Sequence, residues 1–381
     1  MRISRRDLLR HSAIGAAVAA AVASPAERRL RAAAGARLGE GSPLRFPVRL
    51  DRNCNAYGPS ERVVAAIVDA AGAANDDPDD QLELLREKIA GTHGVTPGHV
   101  VVESGSGAIL RLAVDAFAGP GRTFITASPT FGLIGEHARR AGCDLVAIPL
   151  RPDGSHDLEA MLARARAAPS VVYICNPNNP TGTLTRRPDL EAFLLALPSS
   201  AHVVIDEAYH HYVDDASDYR SFIDNRVEDA RIIVTRTFSK IHGLSGMRIG
   251  FAIMSPETAA QLTADRPPVA VSVIAARAAV AALGDPGYVQ ASRTRNADDR
   301  QEFFNQANAR MRRCLDSQAN FVMLDTSGVA HPVAAHFAAN RIVLPPPFSP
   351  LEQYVRVSIG TPAAMQEFWR VWDLMPGMQH H

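Results

Sequence analysis

The stretch Arg236–Gly250, RTFSKIHGLSGMRIG, holds one of only two lysines in a chain of 381 residues that otherwise takes its positive charge from arginine. The other, Lys88, falls in QLELLREKIAG, an amphipathic helical pattern where a lysine on the wet face needs no special reason. Lys240 follows the apolar run IIVTRTF and precedes a glycine-rich turn. Keeping an amine there suggests chemistry closed to a guanidinium, which stays protonated in a protein.

Outward from Lys240, short apolar runs alternate with helical periodicity. HVVVE, RTFITAS, DLVAIPL, SVVYICNP, AHVVIDEAY, RIIVTRTF and RIGFAIM each read as strands, with QLELLREKIAG, AILRLAVDAFAG, GEHARRAG, HDLEAMLARARA and PDLEAFLLAL as helices between most of them. Continuous apolar strands separated by helices predict an α/β fold around a mostly parallel sheet buried on both faces, covering residues 75–265. Past Pro267 and Pro268 the texture changes. A long helical stretch from Ser272 to Arg313, a few strands and a last helix through Trp372 predict a smaller α+β domain over 266–374, joined by the N-terminal segment 44–74.

The first residues stand apart. Paired Arg5 and Arg6, then an uncharged alanine-rich run from Ser12 to Ala26, resemble a twin-arginine export signal over 1–26, followed by a linker over 27–43. The expected location is therefore periplasmic or extracellular. The whole chain carries 40 basic and 40 acidic residues, so no basic footprint for nucleic acid is present. Cys54, Cys143, Cys175 and Cys314 match no zinc or CxxC spacing and are expected as free, buried thiols; no metal is expected.

Three motifs end strands or join them to helices. SGSGA, Ser104–Ala108, forms a helix N-terminus of small residues whose N–H groups can hold a phosphate. NPNNPTG, Asn176–Gly182, places Asn179 at a strand's carboxyl end. VVIDEAY places Asp206 at another, where open α/β sheets bind ligands. An acidic strand end also suits a nucleotide triphosphatase, but that reading needs a GxxxxGK[ST] loop and the chain has none.

In chain order, SGSGA, the aromatic Phe131 after SPT, NPNNPTG, DEAY, TFSK and GLSGMRIG form a constellation far more specific than its parts. The chain resembles the fold-type I, class I/II pyridoxal-phosphate aminotransferases, in their histidinol-phosphate aminotransferase-like branch, from about Asn53 to the last helix. The resemblance implies pyridoxal 5'-phosphate as cofactor, a Schiff base to Lys240, and amino transfer from an L-amino acid to a 2-oxo acid or related carbonyl compound. It makes Lys240, Asp206 and Tyr209 catalytic, with Asp206 on the cofactor's ring nitrogen. Asn179 and Tyr209 would meet the phenolic oxygen and Phe131 the ring face. The phosphate cup would be Ser106, Gly107, Thr237, Ser239 and Arg248. Arg356, in YVRVSIGT, would bind the substrate carboxylate, with Tyr57 and Gly58 of NCNAYGPS at the mouth. A homodimer is implied, and its partners are small amino acids and oxo acids.

The chain also departs from the branch. Asp76 and Asp77 stand where an Arg-Tyr pair is usual, the tyrosine reaching the neighbouring subunit's cofactor phosphate. Glu103 replaces a common glycine, Ala108 and Cys54 common glutamates, and LPPPF, Leu344–Phe348, a substrate-side loop. These changes put histidinol phosphate in question as the native substrate. Racemisation, decarboxylation or oxidation on the same cofactor, and a silent cofactor-binding protein, remain open at the level of sequence.

Overall fold

The computed structural model describes residues 46–214, 219–224, 229–328 and 330–375; the leader over 1–26 and the linker over 27–43 lie outside the described residues. The chain opens with the two-residue strand β1 (Val48–Arg49). A seven-stranded sheet follows, built from β2 (Val100–Glu103), β3 (Thr123–Ser128), β4 (Asp144–Pro149), β5 (Ser170–Cys175), β6 (Ala201–Asp206), β7 (Ile232–Thr237) and β8 (Gly250–Ile253). These are the seven apolar runs read from the sequence. Their order is β2-β8-β7-β6-β5-β3-β4. All neighbours are parallel except β8, which runs antiparallel to both β2 and β7.

Alternate strand residues serve opposite faces, as a period of two demands. Val172, Ile174, Val203, Ile205 and Val234 pack beneath Leu85 and Ile89 of the helix Asp79–His93 and Leu190 and Phe193 of the helix Arg187–Ala196. Val171, Tyr173, Cys175, Val204 and Ile233 face the helix Ser106–Phe117 through Ile109, Leu110, Ala113 and Phe117. Seven strands covered on both faces explain why the runs read as continuous apolar segments.

Two expectations need correction. The long helical stretch from Ser272 breaks into Val273–Leu283 and Pro286–Ala309, because Gly284 closes the first helix and Asp285 caps the second, its carboxylate accepting from Tyr288 N at 3.2 Å. The domain division also falls elsewhere. Val63 of the helix Glu61–Ala70 and Ala275, Ala276, Ala278, Ala279 and Ala282 are buried in the large domain's core, although the sequence assigns 44–74 and 266–374 to the smaller one. Alanines on the helix Val273–Leu283 leave no bulk to hold it off its neighbours. The prolines at 267 and 268 therefore do not mark the boundary, and the chain changes layers along the helix Pro286–Ala309.

The smaller core joins both ends of the described chain. Val48 and Leu50 pack with Phe303 and Phe337 of the helix Ala330–Ala339, and with Phe368 and Trp372 of the helix Pro362–Asp373. Its strands are β9 (Phe321–Asp325), β10 (Ile342–Val343) and β11 (Tyr354–Ser358); β9 pairs antiparallel with β11, and β1 parallel with β10. The four cysteines are free, with Cys143 and Cys175 buried and Cys54 and Cys314 only half-buried. No helix among the described residues is long and apolar enough to cross a membrane.

Phe368 is fully buried and meets the rings of Phe303, Phe337, Trp369 and Trp372. Phe368→Ala is expected to cost about 3–5 kcal/mol of stability, read as a lowered midpoint in denaturant unfolding.

Candidate active site

The parallel register assembles the site. Cys175 lies opposite Asp206, and Asp206 opposite Thr235, so the carboxyl ends of β5, β6 and β7 present their side chains at one level. Above that edge is a cavity of about 200 Å³. All ten residues predicted to hold a cofactor line it: Ser106 and Gly107 from one helix N-terminus, Phe131, Asn179, Asp206 and Tyr209, and Thr237, Ser239, Lys240 and Arg248 from the opening stretch. Ser104, Arg111, Leu133, Cys175 and Ser245 line it as well. Ser104 and Ser245 belong to the SGSGA and GLSGMRIG motifs, where sequence reading assigned them no role, and Arg111, Leu133 and Cys175 stand outside any motif.

At one end the surroundings suit an anion. The helix Ser106–Phe117 starts after Gly105, at φ +83°, with no side chain capping its first N–H groups. Those groups and the helix dipole favour negative charge. A Cβ on Gly105 would sit 2.7 Å from the Arg248 guanidinium, and one on Gly250 would collide with the Ser106 amide nitrogen. Both glycines therefore keep Arg248 and the helix start in close approach. A guanidinium set against a positive helix end is unfavourable alone, and a phosphate between them reverses the sign. This cradle fits the phosphate of pyridoxal 5'-phosphate.

Asp206 is 3 % exposed, and burial pushes its carboxyl pKa upward against the pull of its donors. Those donors are Tyr173 Oη at 2.9 Å, Ala208 N at 3.1 Å and Thr235 Oγ1 at 3.2 Å. Tyr173 and Thr235 are further contacts that the sequence hid, one inside an apolar strand and the other in IIVTRTF.

The Lys240 amine donates to Arg52 O at 3.2 Å and lies 5.3 Å from the centre of the Tyr209 ring. Burial is the main cause lowering its pKa to about 8. The Tyr209 hydroxyl accepts from Asn53 Nδ2 at 3.1 Å. Arg356 lies behind the cavity lining, donating from Nη1 to Asn179 Oδ1 at 2.6 Å and from Nη2 to Asp51 O at 2.6 Å. Its Nε is buried without a hydrogen-bond partner, and among the described residues no carboxylate is paired with it.

Tyr57 and Gly58 are not in the cavity lining. The Tyr57 hydroxyl donates to Asp299 Oδ2 at 2.8 Å and its ring stacks under Arg295, while Gly58 O accepts from the Tyr288 hydroxyl. Both positions tie the segment to the helix Pro286–Ala309. Asn55 Nδ2 ties it to Ile241 O at 2.8 Å, one residue beyond Lys240. Asp76 and Asp77 are exposed, and Asp77 Oδ1 accepts from Asp79 N at 3.0 Å, capping the helix Asp79–His93. Glu103 pairs with Arg266 at 3.0 Å.

Comparison with known proteins adds a pattern of the same shape. The sequence profile of the family described as Aminotransferase class I and II matches residues 47–371. A histidinol-phosphate aminotransferase of Caldicellulosiruptor saccharolyticus is 34% identical over 322 residues, covering 84% of this chain and 89% of that protein. That of Bacillus subtilis strain 168 is 35% identical over 278 residues, 73% of this chain and 77% of its own. Among solved structures, histidinol-phosphate aminotransferase from Sinorhizobium meliloti in complex with pyridoxal-5'-phosphate superposes with a TM-score of 0.81 at 28% identity, covering 87% of this chain and 92% of that one. L-threonine-O-3-phosphate decarboxylase from Porphyromonas gingivalis shares the fold alone, at 22% identity and a TM-score of 0.74, over 86% of this chain and 98% of that one.

A Lys240 pKa of about 8 makes its amine mostly neutral above that pH and protonated below it. In the protein without cofactor, labelling of Lys240 by an amine-directed reagent, followed by peptide mass spectrometry, should rise with pH and reach half its limiting rate near pH 8.

Proposed function

The chain belongs to the class I and II aminotransferase family as a pyridoxal-phosphate-dependent transaminase of fold type I, and on that premise we propose which residues carry the transfer and what they accept. When bound, pyridoxal phosphate supplies an aldehyde that condenses with primary amines and a ring that withdraws electrons from the carbon next to nitrogen. Lys240 is the amine that would hold the cofactor; freed by substrate, it would serve as the base that accepts and gives back the proton of the substrate's α-carbon. Its lowered pKa supports both roles, because only the neutral amine attacks a carbonyl or accepts a proton.

Asp206 answers a protonated ring nitrogen. Asn179 and Tyr209 would hold the phenolic oxygen, and Phe131 would supply the aromatic surface for the ring. Arg248, Thr237, Ser239 and the N–H groups of Ser106 and Gly107 would hold the phosphate. The lining of one cavity by all ten residues supports this allocation.

The substrate is an L-amino acid whose α-carboxylate pairs with Arg356. The carrying observation is that guanidinium, 7 % exposed, with Nε unpartnered and Nη1 on the cavity residue Asn179. A buried cation without an anion is costly, so an anionic substrate group completes the position. The similarity to histidinol-phosphate aminotransferases favours a second reading, histidinol phosphate. A panel of amino acids and histidinol phosphate, each with a 2-oxo acid acceptor, separates the two by mass spectrometry of the carbonyl products. Conversion of histidinol phosphate alone would overturn the first reading.

The enzyme acts as a homodimer in this reading. The exposed carboxylates of Asp76 and Asp77, with no cation paired to them among the described residues, are available to a second copy. Light scattering on the eluted protein tests it. Export is the accompanying proposal, supported by Arg5, Arg6 and the alanine-rich run that follows. Replacing both arginines with lysine should leave the protein in the cytoplasm, checked by fractionation.

Arg356→Ala is expected to raise KM for amino acids roughly 30-fold to several thousandfold, the effect of about 2–5 kcal/mol for a truncated buried charge pair. Steady-state kinetics on the accepted substrates measures it, and cofactor content should be unchanged.

A further inference from the structure

We propose that Tyr173 is a positioning residue for transamination: its hydroxyl fixes the buried Asp206 carboxylate so that one acceptor site stays on the cavity side for the cofactor's ring nitrogen. The proposal rests on the assignment of Asp206 made above.

Register brings the groups together. Tyr173 pairs with Val204, two residues before Asp206, so its ring is the diagonal neighbour of Asp206 on the same sheet face, within reach of a long aromatic side chain. Thr235, directly opposite Asp206 on the other flank, shares that face. Tyr173 and Thr235 are both fully buried. Their hydroxyls are thus withdrawn from water, and the carboxylate compensates both.

Counting acceptor sites shows what these donors leave. An ionised carboxylate offers about four. Among the described residues, Oδ1 accepts from Ala208 N at 3.1 Å and Thr235 Oγ1 at 3.2 Å, and Oδ2 accepts only from Tyr173, at 2.9 Å. Oδ2 therefore keeps one site, and Asp206 lines the cavity. Without the tyrosine hydroxyl, Oδ2 loses its only donor, and the side chain is held from one oxygen alone.

The same donor governs charge. Burial raises the Asp206 pKa, and the Tyr173 hydrogen bond is the largest influence lowering it, ahead of Ala208, Thr235 and Lys240. The groups facing the carboxylate are Tyr173 and Cys175 from β5, Thr235 from β7, and Lys240 and Tyr209 from the adjoining loops. Removing the hydroxyl raises the pKa, so protonation of Asp206 sets in at a higher pH and its hold on a protonated ring nitrogen weakens from the acidic side first.

The test compares wild type with Tyr173→Phe, which keeps the ring and its packing. Pyridoxal phosphate and an analogue with carbon in place of the ring nitrogen are titrated into the cofactor-free proteins between pH 5 and 9, and kcat and KM are measured on the loaded enzymes. We expect wild type to prefer pyridoxal phosphate. The variant should lose roughly tenfold to a hundredfold of that preference, the effect of one hydrogen bond to a charged group. The acidic limb of its binding profile should move to higher pH, and kcat should fall with KM little changed. Unchanged preference and an unchanged limb, or equal weakening for both compounds, would overturn the proposal and leave Tyr173 as core packing. A wild type that fails to discriminate between the compounds would overturn the Asp206 assignment too, and the proposal with it.

Discussion

A carboxylate held almost out of water at the end of a parallel strand is the constraint on which this structure turns. Asp206 cannot sit at the carboxyl end of β6 without donors, and they come from the strands on either side and from its own following turn. That requirement ties the register of β5, β6 and β7 to the chemistry above them. A slip by one residue would turn Tyr173, Asp206 and Thr235 onto the opposite face, into the apolar layer beneath the helix Asp79–His93. The sheet is thus more than a platform, since its hydrogen-bond ladder sets which side chains meet at its edge.

The fold was legible because the large sheet is buried on both sides. Each strand had to be a continuous apolar run, and each of the seven runs became a strand. The assignment of helices to layers was not legible. The alanines of the helix Val273–Leu283 are compatible with either core, and only contacts with distant segments decide between them. The break before Pro286 could have been read from Gly284 and Asp285, which carry the usual signals of a helix stop and start.

The candidate site divides in the same way. Residues in ordered motifs, from Ser106 to Arg248, line one cavity. Tyr173 was hidden because an apolar strand gives no reason to look for a donor within it. Tyr57 could be placed near the mouth by its motif, yet its hydroxyl pairs with Asp299, more than two hundred residues away. Such pairs follow from the packing of the helix Pro286–Ala309 and leave no local trace.

Two adjacent carbonyls have a consequence of another kind. Asp51 O receives Arg356 and Arg52 O receives Lys240, so the carbonyls of two successive peptide units anchor the guanidinium and the amine. Consecutive Cα atoms across a trans peptide are about 3.8 Å apart whatever the side chains are. The spacing of these anchors is then set by the backbone dihedrals of the residue between them, Arg52, whichever side chain it carries. The span between the two charges is thus gauged by main-chain carbonyls, which leave no mark in the residue types at 51 and 52.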